Sequence, residues 1–221
     1  MNEGSEKIYA VVTGDIIGSS RLSPPRREKL LEVMKRGGGE VRKLMGAAMP
    51  WDVDIYSGDT WQFVMAQPGL ALKAAIFYRA YIKASLEKAD TRFVVALGTI
   101  SLFPQNRVSE GDGEAFRRSG RLLQDNDRRQ NMRFAYPESP RERVWDVAFA
   151  LLDGIITHGW SEKGARAVLG AIQKWPQQKI AELWLPPISQ PTVAEHLELA
   201  SWPAIELAVG QFEQDFLTQD I

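Results

Sequence analysis

The sequence predicts an α+β protein, with a mixed first part of strands and helices and a wholly helical second part. Three observations carry this. Short β-branched runs alternate with helix-periodic runs up to residue 139, and beyond Pro140 the apolar residues recur at helical spacing. The composition, 44% hydrophobic and 25% charged over 221 residues, is that of a folded chain with a sizeable core.

Taken in order, the first strand is expected from about Lys7 to Thr13, where β-branched residues dominate. It leads to Asp15 and a small-residue loop. Pro24 and Pro25 then open a charged amphipathic helix to about Met45, with a possible break at Gly37 to Gly39. "WDVDIY" and "WQFVMA" flank "SGDT", which is short enough for a tight hairpin turn. Leu70 to Leu86 has helical periodicity, and "RFVVALGTI" is a strongly apolar strand. A helix follows from about Gly113 to Gln124, "MRFAYP" adds one more strand, and Arg141 to His158 is a connecting helix. The expected domains are residues 1–139 and 140–221.

The order β-α-β-β-α-β is the split, ferredoxin-like plan, an antiparallel sheet with helices on one face. In that plan the end of the first strand lies beside the turn joining the second and third. Asp15 and Asp59 are therefore expected to meet at one edge of the sheet.

Composition narrows the chemistry. The chain has no cysteine, which removes disulfides, thiol nucleophiles and cysteine-rich zinc sites. Its two histidines, His158 and His196, are far apart, so a metal site should be oxygen-rich and suited to magnesium or manganese. No apolar run approaches the roughly 20 residues needed to span a bilayer, and the start "MNEGSEK" is acidic and polar. A cytoplasmic protein without membrane contact is expected. The net charge of −1 excludes a globally basic nucleic-acid binder but allows local patches. Eight arginines (117, 118, 121, 128, 129, 133, 141 and 143) mark one such patch, whereas four basic residues face eight acids from Ser161 onward.

The candidate site lies at "VVTGDIIGSS", Val11 to Ser20. Either Asp15 or Asp59 alone reads as an ordinary turn or strand-end residue, but like charges are not placed together for structure alone. Two carboxylates on adjacent loops can hold magnesium ions that lower the pKa of an attacking hydroxyl and neutralise a triphosphate. The backbone amides of Ile17, Gly18, Ser19 and Ser20 can cradle phosphate oxygens. This is not a Walker A loop, because only three residues separate Gly14 from Gly18 and no lysine follows. Arg117 and Arg121, four apart on one helix face, would repel without an anion between them. Most tryptophans fall at core positions; Trp61, directly after the Gly-Asp turn, is placed to line a base pocket.

These residues resemble a known family. "DIIGSS" is similar to the first-metal motif of the class III nucleotidyl cyclases, "SGDTW" to their Gly-Asp hairpin turn and that of the diguanylate cyclases, and "GEAFRRSGRL" to the cyclase pattern Gly-Asp-Ala-Val-Asn-x-Ala-Ala-Arg-Leu. The chain as a whole resembles the SatD family, which joins such a domain to a helix-turn-helix region, in "YAVVTGDIIGS" and "GDTWQ". The resemblance implies that Asp15 and Asp59 are metal ligands, with the Ile16 carbonyl a third. It implies that Arg121 stabilises the pentavalent phosphorus. Arg117 stands where the cyclases carry a ribose-orienting asparagine, and Ile55 where adenylyl cyclases carry a purine-reading lysine. It also implies a homodimer with composite sites that binds a nucleoside triphosphate with Mg2+ or Mn2+ and, if active, closes the 3′-hydroxyl onto the α-phosphate.

The tail, "SQPTVAEHLELASWPAIELAVGQFE", has the cadence of a helix-turn-helix: a helix from Gln190, a small Ala194 at the crossing, Leu197 and Leu199 toward the core, and Ile205 anchoring a second helix from Trp202 to Phe216. That second helix contains no lysine or arginine, on which DNA contacts lean. Two function classes remain open beside a scaffold that binds neither ligand. One is a metal-dependent nucleotide-binding protein with possible cyclase activity, and the other a DNA-binding transcriptional regulator that senses a ligand through its first domain.

Overall fold

The computed structural model describes residues 7–125, 130–137 and 139–217; Arg128 and Arg129 of the basic stretch lie outside them. Five strands form one sheet in the order β2-β3-β1-β4-β5. At its centre is β1 (Tyr9–Ile16), flanked antiparallel by β3 (Thr60–Met65) and β4 (Thr91–Gly98). The short β2 (Asp54–Tyr56) pairs antiparallel with β3, and β5 (Met132–Ala135) extends the other edge parallel to β4.

The two-residue period of the pleat sorts the sheet into two faces. Ala10, Val12 and Ile16 share one face with Trp61, Phe63, Met65, Phe93, Val95 and Leu97, all buried under α1 (Pro24–Met45) and α2 (Ala71–Ser85). Val11, Thr13 and Asp15 take the other face, where α3 (Glu114–Gln124) lays Ala115, Phe116 and Ser119 over Val11 and Val64. Under α3 the Ser119 hydroxyl accepts a hydrogen bond from Thr13 Oγ1 (2.9 Å), which in turn accepts one from the Gln62 amide (2.7 Å), so the polar groups of this face are paired.

Two expectations are corrected in α1 and β1. The strand does not stop at Thr13 but carries Asp15 and Ile16 in register, because both neighbouring strands continue to pair with them. The helix is not broken at its glycine triplet. Gly37 and Gly38 are buried where a Cβ would come within 2.7 Å of Tyr81 and 2.9 Å of Val53, so the glycines allow close packing.

Beyond Ser139, whose hydroxyl accepts from the Arg141 amide, the chain is helical: α4 (Pro140–Gly159), α5 (Glu162–Ala171), α6 (Gln177–Ala181), α7 (Gln190–Leu199) and α8 (Trp202–Asp215). Residue 139 is no break in the core. Phe134 of β5 packs among Phe149, Phe212 and Phe216, and one hydrophobic cluster runs from Ala10 to Phe216. The end of α8 returns to the first part of the chain, where the Gly69 amide donates to the Phe216 carbonyl at 3.1 Å. In the α7–α8 pair, Leu197 and Ile205 are buried, but Leu199 is 66% exposed, since it lies two residues from Leu197 and a helix cannot bury both on one stripe. Among the described residues, no helix is long and apolar enough to cross a membrane.

A hidden polar cluster ties the two parts together. Arg79 of α2 is fully buried and donates to both carboxylate oxygens of Asp90 (2.8 and 2.9 Å), to Asp153 of α4 (2.8 Å) and to Thr157 (2.7 Å). Lys83 adds a second contact to Asp90 at 3.0 Å. The Asp153 carboxylate also accepts from the Asn131 amide at 2.6 Å, at the threshold of β5. Each buried charge thus has a partner of opposite sign and further hydrogen bonds, as its burial demands.

Candidate functional site

Where β1 ends, its backbone is held from three sides. The Ile16 amide donates to the Asp59 carbonyl (3.1 Å), the Ile17 amide to the Asp90 carbonyl (3.0 Å), and Thr91 Oγ1 donates to the Asp15 carbonyl (2.6 Å). Thr91 Oγ1 itself accepts from the indole N–H of Trp61 at 2.9 Å. Trp61 therefore does not line a base pocket. It is completely buried, stacked on Phe63 and edge-on to Tyr78, because Gly14 leaves the space its ring fills. Ile17 is corrected as well. Its amide is spent on Asp90 and is closed to a phosphate.

The rest of the loop differs. Gly18 adopts φ +70°, the left-handed region that favours glycine, and turns the chain into Ser19–Arg21. Its carbonyl and that of Ser19 accept hydrogen bonds from Arg21 and Leu22, whereas the amides of Gly18, Ser19 and Ser20 have no acceptor among the described residues. Opposite them, Ser57 (φ 54°) and Gly58 (φ 85°) form the tight turn that delivers Asp59. The Ser19 hydroxyl donates to Asp59 Oδ2 and fastens the two loops together.

Between these loops and the first turns of α1 lies a cavity of about 400 Å3, lined by Ser19, Ser20, Arg27, Glu28, Leu30, Leu31, Ser57, Gly58 and Asp59. Arg27 reaches back to donate to the Ser20 carbonyl at 2.8 Å, so a guanidinium stands beside the open amides. The size falls within the range of small-ligand sites, with amides and one arginine suited to an anion.

Asp15 and Asp59 reach the same end of the sheet but not the same partners. Asp15 pairs across β4 with Arg92, whose Nε and Nη2 donate to its two carboxylate oxygens at 2.7 Å each. That hydrogen-bonded carboxylate holds the Arg92 guanidinium's pKa above its ordinary value. Both oxygens of Asp15 are thereby used by a cation already present, and Asp59 by Ser19 and, weakly, Thr60. Among the described residues no group of three or more histidine or acidic side chains is gathered closely enough to hold a metal ion. The side-chain donors as arranged do not fit a divalent cation, since Asp15 and Asp59 are each engaged by other protein groups; the expected third ligand, the carbonyl of Ile16, is a backbone group at the end of β1.

The two candidate catalytic arginines stand elsewhere in the chain. Arg117 is exposed and bonded to Asp112 at 2.9 Å, and Arg121 is exposed on the outer side of α3. That helix covers the sheet face opposite α1, whose first turns form the cavity wall. Residues that sequence reasoning missed are Arg92, Arg27 and the Arg79–Asp90 pair. An arginine opening an otherwise apolar strand was the available signal for Arg92, since opposite charges favour cross-strand neighbours.

Fold and cavity together define an α+β protein with a cleft of about 400 Å3 at the carboxyl end of its central strand. No protein-family model and no curated protein matches the chain. Among solved structures it is similar to the adenylyl cyclase CyaB from P. aeruginosa, with 16% sequence identity, coverage of 53% of this chain and 71% of that one, and a TM-score of 0.40.

Proposed function

We propose that the chain is a nucleotide-binding protein of the nucleotidyl-cyclase-like, SatD type, and that the cleft at the end of β1 takes the phosphates of a nucleoside triphosphate. One observation carries the reading. Two motifs far apart in sequence, "DIIGSS" and "SGDTW", close on a single cavity, fastened by Ser19 and Asp59 and lined by Ser19 and Ser20, whose amides are open. The order of the first four strands, β2-β3-β1-β4, supports the same reading, since it is that of the split β-α-β-β-α-β plan.

In this proposal Arg27 and the amides bind phosphate, and Asp59 holds the loop in its binding form. Arg117 and Arg121 lie on the far side of the sheet, so they reach a bound nucleotide only across a boundary between two copies, which makes a homodimer part of the proposal. Magnesium or manganese would accompany the nucleotide on its own phosphates; no catalytic step is assigned to a protein-held metal, because Asp15 is engaged by Arg92.

The test is thermal stability with each of the four common nucleoside triphosphates and with tripolyphosphate, with and without magnesium. A stabilising shift with at least one nucleotide is expected, reduced in Arg27→Ala and Asp59→Ala. Wild-type protein that shifts with none of these ligands would overturn the proposal.

A further inference from the structure

We infer that Arg92 is a built-in cation at Asp15, and that it competes with any divalent metal for that carboxylate. The inference rests on the proposed placing of the ligand site at the end of β1, and goes beyond it by saying what controls cation access there.

The geometry leaves no shared arrangement. Magnesium and manganese bind carboxylate oxygens directly, and the forked guanidinium of Arg92 already takes both oxygens of Asp15 at 2.7 Å. The backbone of Asp15 is fixed by pairing on either side in β1 and by Thr91 on its carbonyl, so its short side chain has little reach. The longer side chain of Arg92 is the one that can leave the pair. Its side chain is 28% exposed, against 22% for Asp15, so the pair is held by fit rather than by deep burial. With Arg92 in place Asp15 is neutralised. Without it, Asp15 would present an uncompensated carboxylate at the end of β1, free to take a hard cation through its oxygens.

The experiment is a Mn2+ titration of nucleotide-free protein, read by loss of the electron paramagnetic resonance signal of free Mn2+. Wild type is compared with Arg92→Met, Arg92→Lys and the double variant Asp15→Asn/Arg92→Met. Arg92→Met is expected to bind Mn2+ about tenfold more tightly than wild type or better, because the competing guanidinium is gone. Arg92→Lys should fall between them, since it keeps the charge but loses the fork. The double variant should return to the wild-type level. Equal affinity in wild type and Arg92→Met, or a gain that survives removal of Asp15, would overturn the inference. If Arg92→Met does not fold, Arg92→Lys carries the test, and an affinity no higher than that of wild type overturns it. Nucleotide shifts measured on the same proteins separate the two readings. The Mn2+ pattern without any nucleotide shift keeps this inference and removes the proposed function, and the reverse pattern does the opposite.

Discussion

Gly14 and Trp61 show how a single residue position governs the site from within the core. A Cβ at Gly14 would lie 2.3 Å from Trp61 Cζ2 and 2.6 Å from the Arg92 carbonyl, so neither the indole nor β4 has room to yield. The indole in turn orients Thr91, which holds the Asp15 carbonyl. Gly14→Ala is therefore expected to destabilise the protein by about 1–3 kcal/mol, the usual cost of overpacking, read as a lower urea midpoint at unchanged slope. At this scale the sequence was informative about some residues and silent about others. An aspartate between glycines at a strand end announces a turn or a ligand; it does not announce that an arginine 77 positions away will claim it. Trp61 is a related case, because adjacency to a tight turn does not say which face of the strand a side chain takes.

At the scale of elements, the glycine triplet of α1 separates packing from propensity. Gly38 faces Val53 at 2.9 Å from a would-be Cβ, whereas Gly39 is exposed and would meet nothing within 4 Å. Gly39→Ala should therefore stabilise by about 0.5–1 kcal/mol, through helix propensity alone, and Gly38→Ala should destabilise despite the same gain. Thermal midpoints of the two variants check this pair of opposite signs. Most strands and the longer helices were legible in the sequence from their own periods, and Ser139 and Ser189 cap two of the helices. What the sequence obscured was the continuity of α1: three consecutive glycines look like a break when the tyrosines packed against Gly37 and the valine against Gly38 are not in view.

The molecule as a whole is joined by Arg79, buried between α2, the start of β4 and α4. Burial by itself would raise the pKa of Asp90, but hydrogen bonds and charge from Arg79 and Lys83 outweigh it and hold the carboxyl below its ordinary value. A group depressed in the folded state binds more protons when unfolded, so its contribution is present above the unfolded value of about 3.9 and lost as pH falls through the folded one. Asp90→Asn should thus cost roughly 3–5 kcal/mol at neutral pH, because Arg79 is left short of a charge partner, and its deficit against wild type should shrink below about pH 4. Urea unfolding of both proteins at a series of pH values measures it. The shared core also predicts that fluorescence and circular dichroism will report one transition rather than two.

The sequence by itself determined the kind and order of the elements, the small-residue loop after β1, the tight turn before β3, and the absence of cysteine and scarcity of histidine that restrict the site to oxygen and guanidinium chemistry. These are local properties: periodicity, turn chemistry and composition act over a few residues. Only the tertiary structure decided that the helical tail shares one core with the sheet, that Trp61 serves the interior, that Arg117 and Arg121 stand apart from the cleft, and that Asp15 belongs to Arg92. Each of those depends on strand register and on which face a side chain occupies, and a two-residue period turns one position of difference into the opposite side of the sheet.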